Sequence, residues 1–526
     1  MKFSKKALTL LLGATFAYSA QAENVVRWAA QTDIATLDPY AFASTSALSF
    51  QNNIYEALIQ WNDKLQMEGV LATDWEFIND TTLRLSLRQD VKFHNGNRFN
   101  ADDVVASIAR VTHQDSGVRG NVSTIKEAKK IDEYTVEIIL NNKSSISLNE
   151  LTSVLMMDEE WLKEHNALQP TNMSQGTEGY ATNNTNGTGP FKLVSRRRDA
   201  EMVLEKNTEW WNTANAEHNI DKIIFSPVKS PATRLAGLMA GEFDLVSDVP
   251  LQDLPRIEKN PDLKVLVTPS LRVDYLSLNM SDTLIAGNVN GANPLQDLRV
   301  RQAMFMAINR DAIVKKIMRN MTTVANHYVA PAIAGYDEKS AITLSYNPQQ
   351  AKKLLAEAGY PDGFKLAFDC VQGAYLNAEQ WCQAVQTFWS KVGIKSDFNI
   401  HPRSTYSQVR DNHKTDVAVI GWANLPLIDA HSINVQLLHS KDNNNYGAFN
   451  IPQYKNTKVD RLIEESALEL DHGKRVQLMA AALNQSQLDL PYIPLHHEPV
   501  AWVLSKHFEL PQAPDNVPRL WYGNFK

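Results

Sequence analysis

One run of residues, LRVDYLSLNM at 271–280, limits what this chain can fold into more than any other. Val273, Tyr275, Leu276 and Leu278 make it β-prone, and it stops at a polar, glycine-bearing loop over 281–298 before a helical pattern begins at Arg299. It lies near the middle of 526 residues, with mixed strand and helix signals on both sides. A strand so placed is expected to cross from one folded lobe to another. A ligand would then sit in the cleft beside it, and the chemistry would be closure without catalysis.

Lys2, Lys5 and Lys6 precede an apolar run at 7–17 and the small-residue exit Ala20-Gln21-Ala22. This pattern predicts a secretory signal peptide over 1–22, cut after Ala22, as in export to a Gram-negative periplasm. The apolar run is too short to span a bilayer comfortably, and no cysteine follows the cut to carry a lipid. The formal charge of -7 becomes more negative once those three lysines leave, which argues against nucleic acid as a partner. The length calls for two or three domains. The two cysteines, Cys370 and Cys382, either form a disulfide in an oxidising compartment or stay as buried thiols.

Further along, VVRWAA at 25–30 reads as a strand. The loop after it, TLDPY at 36–40, stands where open α/β sheets place ligands, so Thr36 to Tyr40 are cleft candidates, against plain turn chemistry at Asp38-Pro39. A helix is expected to hold Phe50, Ile54, Tyr55, Leu58 and Ile59. Leu83, Leu85 and Leu87 alternate as in a half-buried strand, and Asn100 with Asp103 forms a capping box for a following helix. Asn347 and Pro348 open another helix that Gly359 ends, and alternating strand and helix signals follow to residue 400.

The block LRQDVKFHNGNRFNADDVVASI at 87–108 resembles the signature of family 5 extracellular solute-binding proteins, the dipeptide, oligopeptide and nickel receptors of ATP-binding-cassette importers. Other blocks agree in order: TLDP at 36–39, GTGPFKLV at 187–194, LEKNTEWW at 204–211, ATRLAGLMAGEFDLV at 232–246, YLSLNM at 275–280, VRQAMFMAINRDAIV at 300–314, YNPQQAKKLLAEAGYPDGF at 346–364 and PYIPLHH at 491–497. The resemblance implies an α/β fold of the type II periplasmic binding protein kind, with three lobes, two hinge crossings and an interlobe cleft. One lobe would combine 23–65, 185–275 and 500–526, an inserted lobe would take 66–184, and the second gripping lobe 276–499.

The resemblance also points to the stretch that would choose the ligand, TDVAVIGWANLPLIDAHS at 415–432. Its Gly421-Trp422 corner is expected to face the cavity, with Trp422 offering a flat ring and one N–H. Peptide-binding relatives commonly carry Asp three residues later, where this chain has Leu425. Asp429 either supplies that carboxylate from a shifted loop or caps the helix that follows. Arg272, beside the crossing strand, is a candidate for a forked pair with a ligand carboxylate, and Tyr275 lies on the strand itself. His431 is a further candidate contact. His431 and His439 lack a metal-ligand spacing, and adjacent His496 and His497 would point to opposite faces of a strand, so no metal site is expected.

The expectation is a monomeric periplasmic receptor, without cofactor, that captures peptides or peptide-like molecules such as glutathione and delivers them to an inner-membrane permease and its ATPase. Nickel, haem, opine or sugar receptors of the same class are the alternative, and a secreted hydrolase is the remote one. No G-x-S-x-G or H-E-x-x-H is present, so no catalytic residue is assigned. Amino-terminal sequencing of the exported chain should begin at Glu23; a start at Met1 would remove the leader.

Overall fold

The structure is a computed structural model that describes residues 23–42, 45–173, 177–216, 218–247, 249–442 and 446–526; the leader expected over 1–22 lies outside them. The run at 271–280 belongs largely to a longer strand, Leu263–Leu278. That strand pairs antiparallel with Val417–Trp422 on one side and with Tyr492–Ser505 on the other.

These strands lie inside a ten-stranded sheet. Beyond Val417–Trp422 come Lys365–Gln372 and the edge strand Lys395–Pro402, mutually parallel. Beyond Tyr492–Ser505 come Leu245–Val246, Val25–Ala30 and Lys222–Pro227, the last three parallel, then Glu201–Lys206 and Phe191–Arg197. A separate antiparallel sheet holds Ala72–Asn79, Thr82–Leu87, Thr135–Leu140 and Ile125–Asp132 in that order.

Side chains alternate across the long strand as a period of two requires. Val273 and Tyr275 pack with Ala418, Ile420, Tyr328 and Tyr454. Leu276 and Leu278 face the other way and pack with Val417, Val419, Trp381 and Trp389. A third core joins Val26, Trp28 and Phe225 to Leu83, Leu85, Val136 and Ile138 of the four-stranded sheet, and takes in Trp502 and Leu520 from the far end of the chain. Hydrophobic burial is thus divided among three cores, two of them on opposite faces of the same half-sheet.

Asn100 caps Ala101–Thr112 in a full capping box with Asp103, and Asn347 caps Pro348–Glu357. The helix expected to reach residue 59 is instead Thr45–Gln51, and Ile59 starts a short strand, Ile59–Trp61. Tertiary bonds override the helical spacing here: Ile54 O accepts from Gly189 N, and Asn53 Oδ1 accepts from Leu520 N. The helical pattern from Arg299 divides into Leu298–Ala307 and Arg310–Lys316, because the Asn309 side chain accepts from Ala312 N and caps the second piece.

Among the described residues no helix is long and apolar enough to cross a membrane. Cys370 and Cys382 are joined in a disulfide that ties the strand Lys365–Gln372 to the helix Ala378–Ser390. The double variant Cys370→Ala/Cys382→Ala should lose about 3 kcal/mol of stability in urea unfolding, the chain-entropy value for a loop of this size.

Candidate solute cleft at the crossing strands

The two long strands do not pair evenly. Their register shifts between Pro269 and Val273 and again between Asp274 and Tyr275. Backbone groups freed by the first shift find partners outside the ladder: Leu271 N donates to Pro514 O, and His497 N to Thr323 O.

Charged side chains gather at this break. Arg272 Nε lies 2.8 Å from Glu498 Oε2, and both side chains are partly exposed. Arg272 Nη1 donates to Gly421 O at 3.2 Å, and Glu498 Oε1 accepts from Leu376 N at 3.0 Å. Behind them Asp274 and His496 are fully buried, 3.5 Å apart across the strand pair. Burial, and then the Glu498 carboxylate, hold the Asp274 carboxyl well above its usual range, while burial pushes His496 down to about 3. Burial thus disfavours the charged form of both groups, and His496 is uncharged at neutral pH. A side chain at Gly421 would meet Asp274 Oδ1 and the Tyr375 ring, each 2.6 Å from the Cβ position, so any larger residue would displace one of them.

Cavities open along the cleft. One of about 560 Å³ includes Gln31, Arg234, Ser270, Tyr375, Glu379 and Glu498 in its lining. Another of about 270 Å³ lies between Trp61, Leu155 and Trp521 on one side and Leu425, Pro426 and Ile428 on the other. Asn516 lines the first and also a third, smaller recess, while Asp515, Val517 and Arg519 line the second. The segment 515–519 therefore borders all three.

The residues singled out in the sequence fall in different places. Arg272 stands at the cleft. Trp422 is half-buried, with Nε1 donating to Ser432 Oγ at 3.1 Å and its ring 5.6 Å from that of Phe449. Asp429 is fully buried and grips Arg475 in a forked pair at 2.7 and 2.8 Å, while its Oδ1 accepts from His431 N. The helix His431–Ile433 opens after Ala430 without a side-chain cap, and Arg475 occupies both oxygens of the carboxylate otherwise offered to a ligand. His431 is held neutral, pushed down to about 4 by burial and by the nearby Arg475.

Thr36, Tyr40 and Tyr275 are fully buried. Thr36 Oγ1 accepts from Asp38 N, the Tyr40 hydroxyl donates to Leu155 O, and the Tyr275 hydroxyl donates to Tyr328 O. In the loop expected to reach the cleft, Pro39 lines the cavity and its neighbours Thr36 and Tyr40 point into the core. Among the described residues no group of three or more His, Cys, Asp or Glu is arranged to hold a metal.

The sequence reading missed Tyr375, Glu498, Asp515 and Arg519. A signal existed for the first: Tyr375 follows the carboxyl end of Lys365–Gln372, the same position logic that selected Thr36 to Tyr40.

This is the type II periplasmic binding protein architecture, with lobes joined by crossing strands around a solute cleft, and the chain is a solute-binding protein of the class that serves ATP-binding-cassette importers. The model for bacterial extracellular solute-binding proteins, family 5, matches residues 66–445, and the chain belongs to that family. It is 25% identical over 479 residues to heme-binding protein A of Haemophilus influenzae, covering 86% of this chain and 83% of that one. It is 26% identical over 484 residues to the glutathione-binding protein GsiB of Shigella flexneri, covering 90% and 89%. The structure of HbpA2 from Haemophilus parasuis superposes with a TM-score of 0.82 at 25% identity, over 96% of this chain and all of that one.

Replacing Asp429 by Asn should strand the Arg475 charge in the core and lower stability by about 3–5 kcal/mol in chemical denaturation. Adding Arg475→Met should recover part of that loss.

Proposed function

We propose that the chain is a periplasmic receptor for a peptide or peptide-like solute, glutathione being a small example, that it acts as a monomer, and that it performs no catalysis. The observation that carries this reading is the Arg272–Glu498 pair at the break between the crossing strands, beside the 560 Å³ cavity. A half-exposed guanidinium that shares its charge with a carboxylate is poised to exchange partners. A solute carboxylate would take the Arg272 fork, and a solute ammonium would turn to Glu498. A zwitterionic, peptide-like end group satisfies both without leaving a charge unpaired.

In this reading the chain moves as three lobes: 23–65 with 185–275 and 500–526, the inserted 66–184, and 276–499. The solute bridges the lobes and raises the population of the closed form, which docks on the permease. Arg272 meets the solute. Trp422, Asp429 and His431 shape the loop that faces it, and Thr36, Tyr40 and Tyr275 support the walls from behind. The relatives support a binding rather than a catalytic role, since those named above are binding proteins.

A thermal-shift screen across dipeptides, longer peptides, glutathione, nickel chelates, haem and opines tests the reading. A solute at about 100 times its Kd should stabilise the native chain by about 2.7 kcal/mol. Arg272→Gln should weaken the best solute by about 1.5–3 kcal/mol while leaving the unliganded melting point nearly unchanged. X-ray scattering should report a smaller radius of gyration with that solute bound. Stabilisation by haem or a nickel chelate alone, or an undiminished shift in Arg272→Gln, would refute the peptide-like assignment.

A further inference from the structure

The 560 Å³ and 270 Å³ cavities differ in charge. The 560 Å³ cavity carries Arg234, Glu379 and Glu498 in its lining, with Arg272 at its edge. Among the described residues, the 270 Å³ cavity has only Asp515 and Arg519 as charged lining residues, and these neutralise each other. Arg519 Nη1 and Nη2 reach the two Asp515 carboxylate oxygens at 3.1 and 2.7 Å, Nη1 also reaches Val517 O, and Nε donates to Trp61 O. Both side chains are more than nine-tenths buried. Each nitrogen of that guanidinium is already bonded, so the pair offers a solute no net charge.

The remaining walls carry no charge and are mostly apolar, with Gln51, Asn52, Gln60, Asn121, Thr152 and Ser153 as neutral polar members. Leu48, Val118, Leu155 and Trp521 stand on one side, and Leu425, Pro426 and Ile428 on the other. The second wall is a loop with little freedom to turn a polar group inward. Asn424 and Ile428 both have left-handed backbones, with φ of 53° and 51°. Ile428 N donates to Asn424 O at 2.8 Å, and the Asn424 side chain accepts from Ile433 N. The Asp429–Arg475 pair anchors the far end. Asn149 Nδ2 donates to Leu427 O at 2.9 Å, which ties this loop to the facing helix Ser147–Leu151.

From this contrast we infer that the 270 Å³ cavity receives an uncharged, apolar end group, so that the solute is amphipathic, with its charge at Arg272 and Glu498 and a neutral hydrophobic group at the far end. The inference rests on the receptor reading for the charged end only; the neutral end follows from the cavity walls. A free ammonium or carboxylate drawn into this space would leave water without gaining a counter-charge, whereas an aromatic or branched aliphatic group would gain contact with both walls. The space is large enough to admit a single aromatic ring.

The test uses the mature chain and three probes of nearly equal shape: benzyl alcohol, benzylammonium and benzoate. Saturation-transfer NMR titrations should give benzyl alcohol the lowest Kd, by about tenfold or more over either ion. Leu425→Glu should abolish that preference and bring benzylammonium at least level with the alcohol. Val118→Asp should do the same from the opposite wall, and serves in place of Leu425→Glu if that chain does not fold. The inference is overturned if either ion binds the parent as tightly as the alcohol, if the preference survives the wall charges, or if benzyl alcohol fails to bind at millimolar concentration. These probes contain no peptide, so preferential binding of the alcohol stands as support even if the peptide screen finds nothing. Equally, failure of the alcohol to bind would leave a positive peptide screen, and the receptor reading with it, untouched.

Discussion

The structure depends on the pairing of Leu263–Leu278 with Tyr492–Ser505 and on the fact that this pairing is interrupted. An unbroken antiparallel ladder would make the whole sheet one stiff body. Two register shifts within six residues remove ladder bonds where the part of the strand at 263–269 passes into the part beside Val417–Trp422. A lost ladder bond in a buried strand normally orphans a backbone group, which is costly. Here loops from elsewhere accept those donors: Pro514 takes Leu271 N–H and Thr323 takes His497 N–H. The crossing keeps its hydrogen bonds while giving up regular geometry.

The same break explains why ionisable groups collect there. An irregular strand pair leaves room between side chains that a regular sheet would fill with aliphatic groups. Asp274 and His496 face each other across it, and burial shifts them in opposite directions, the carboxyl up and the imidazole down. Arg272 pairs with the other acidic residue at the crossing, Glu498. Gly421 completes the arrangement by omission, since even a methyl group would press on Asp274 and Tyr375. The Gly-Trp corner that marks the family on sequence grounds therefore has a local steric reason for its glycine.

Elements with a strong period or cap were legible in the sequence. The crossing run around Tyr275, the alternating Leu83–Leu85–Leu87 strand and the helices opened by Asn100 and Asn347 all follow from spacing and from side chains that bond their own neighbours. Elements set by distant partners were not. The amino-terminal half of the long strand, LKVLVTPS, carries Pro269 and the exposed Lys264, which mask its pairing with Pro499 to Ser505. The helix after residue 45 stops early because Asn53 bonds a backbone 467 positions away. Asp429 is the sharpest case among the site residues. Its acid group has the right chemistry for a ligand contact, and only the fold shows that Arg475, 46 positions on, already holds both oxygens.

Receptor class and ligand class are encoded at different levels of this chain. The class follows from the sheet, and sheets leave periodic traces. The cleft is lined by what comes after the carboxyl ends of the parallel strands: Gln31 after Val25–Ala30, Arg234 after Lys222–Pro227, Val249 to Gln252 after Leu245–Val246, and Gly373 to Asn377 after Lys365–Gln372. The Leu425 wall follows Val417–Trp422 in the same way. Parallel neighbours align their carboxyl ends, so residues from five separate loops converge although no two of those loops adjoin in sequence. Loops have no repeat to reveal which residue will point inward, as Pro39 does while Thr36 and Tyr40 turn to the core. Charge at the crossing and apolarity beyond it are therefore properties of the assembled cleft, and no single motif carries them.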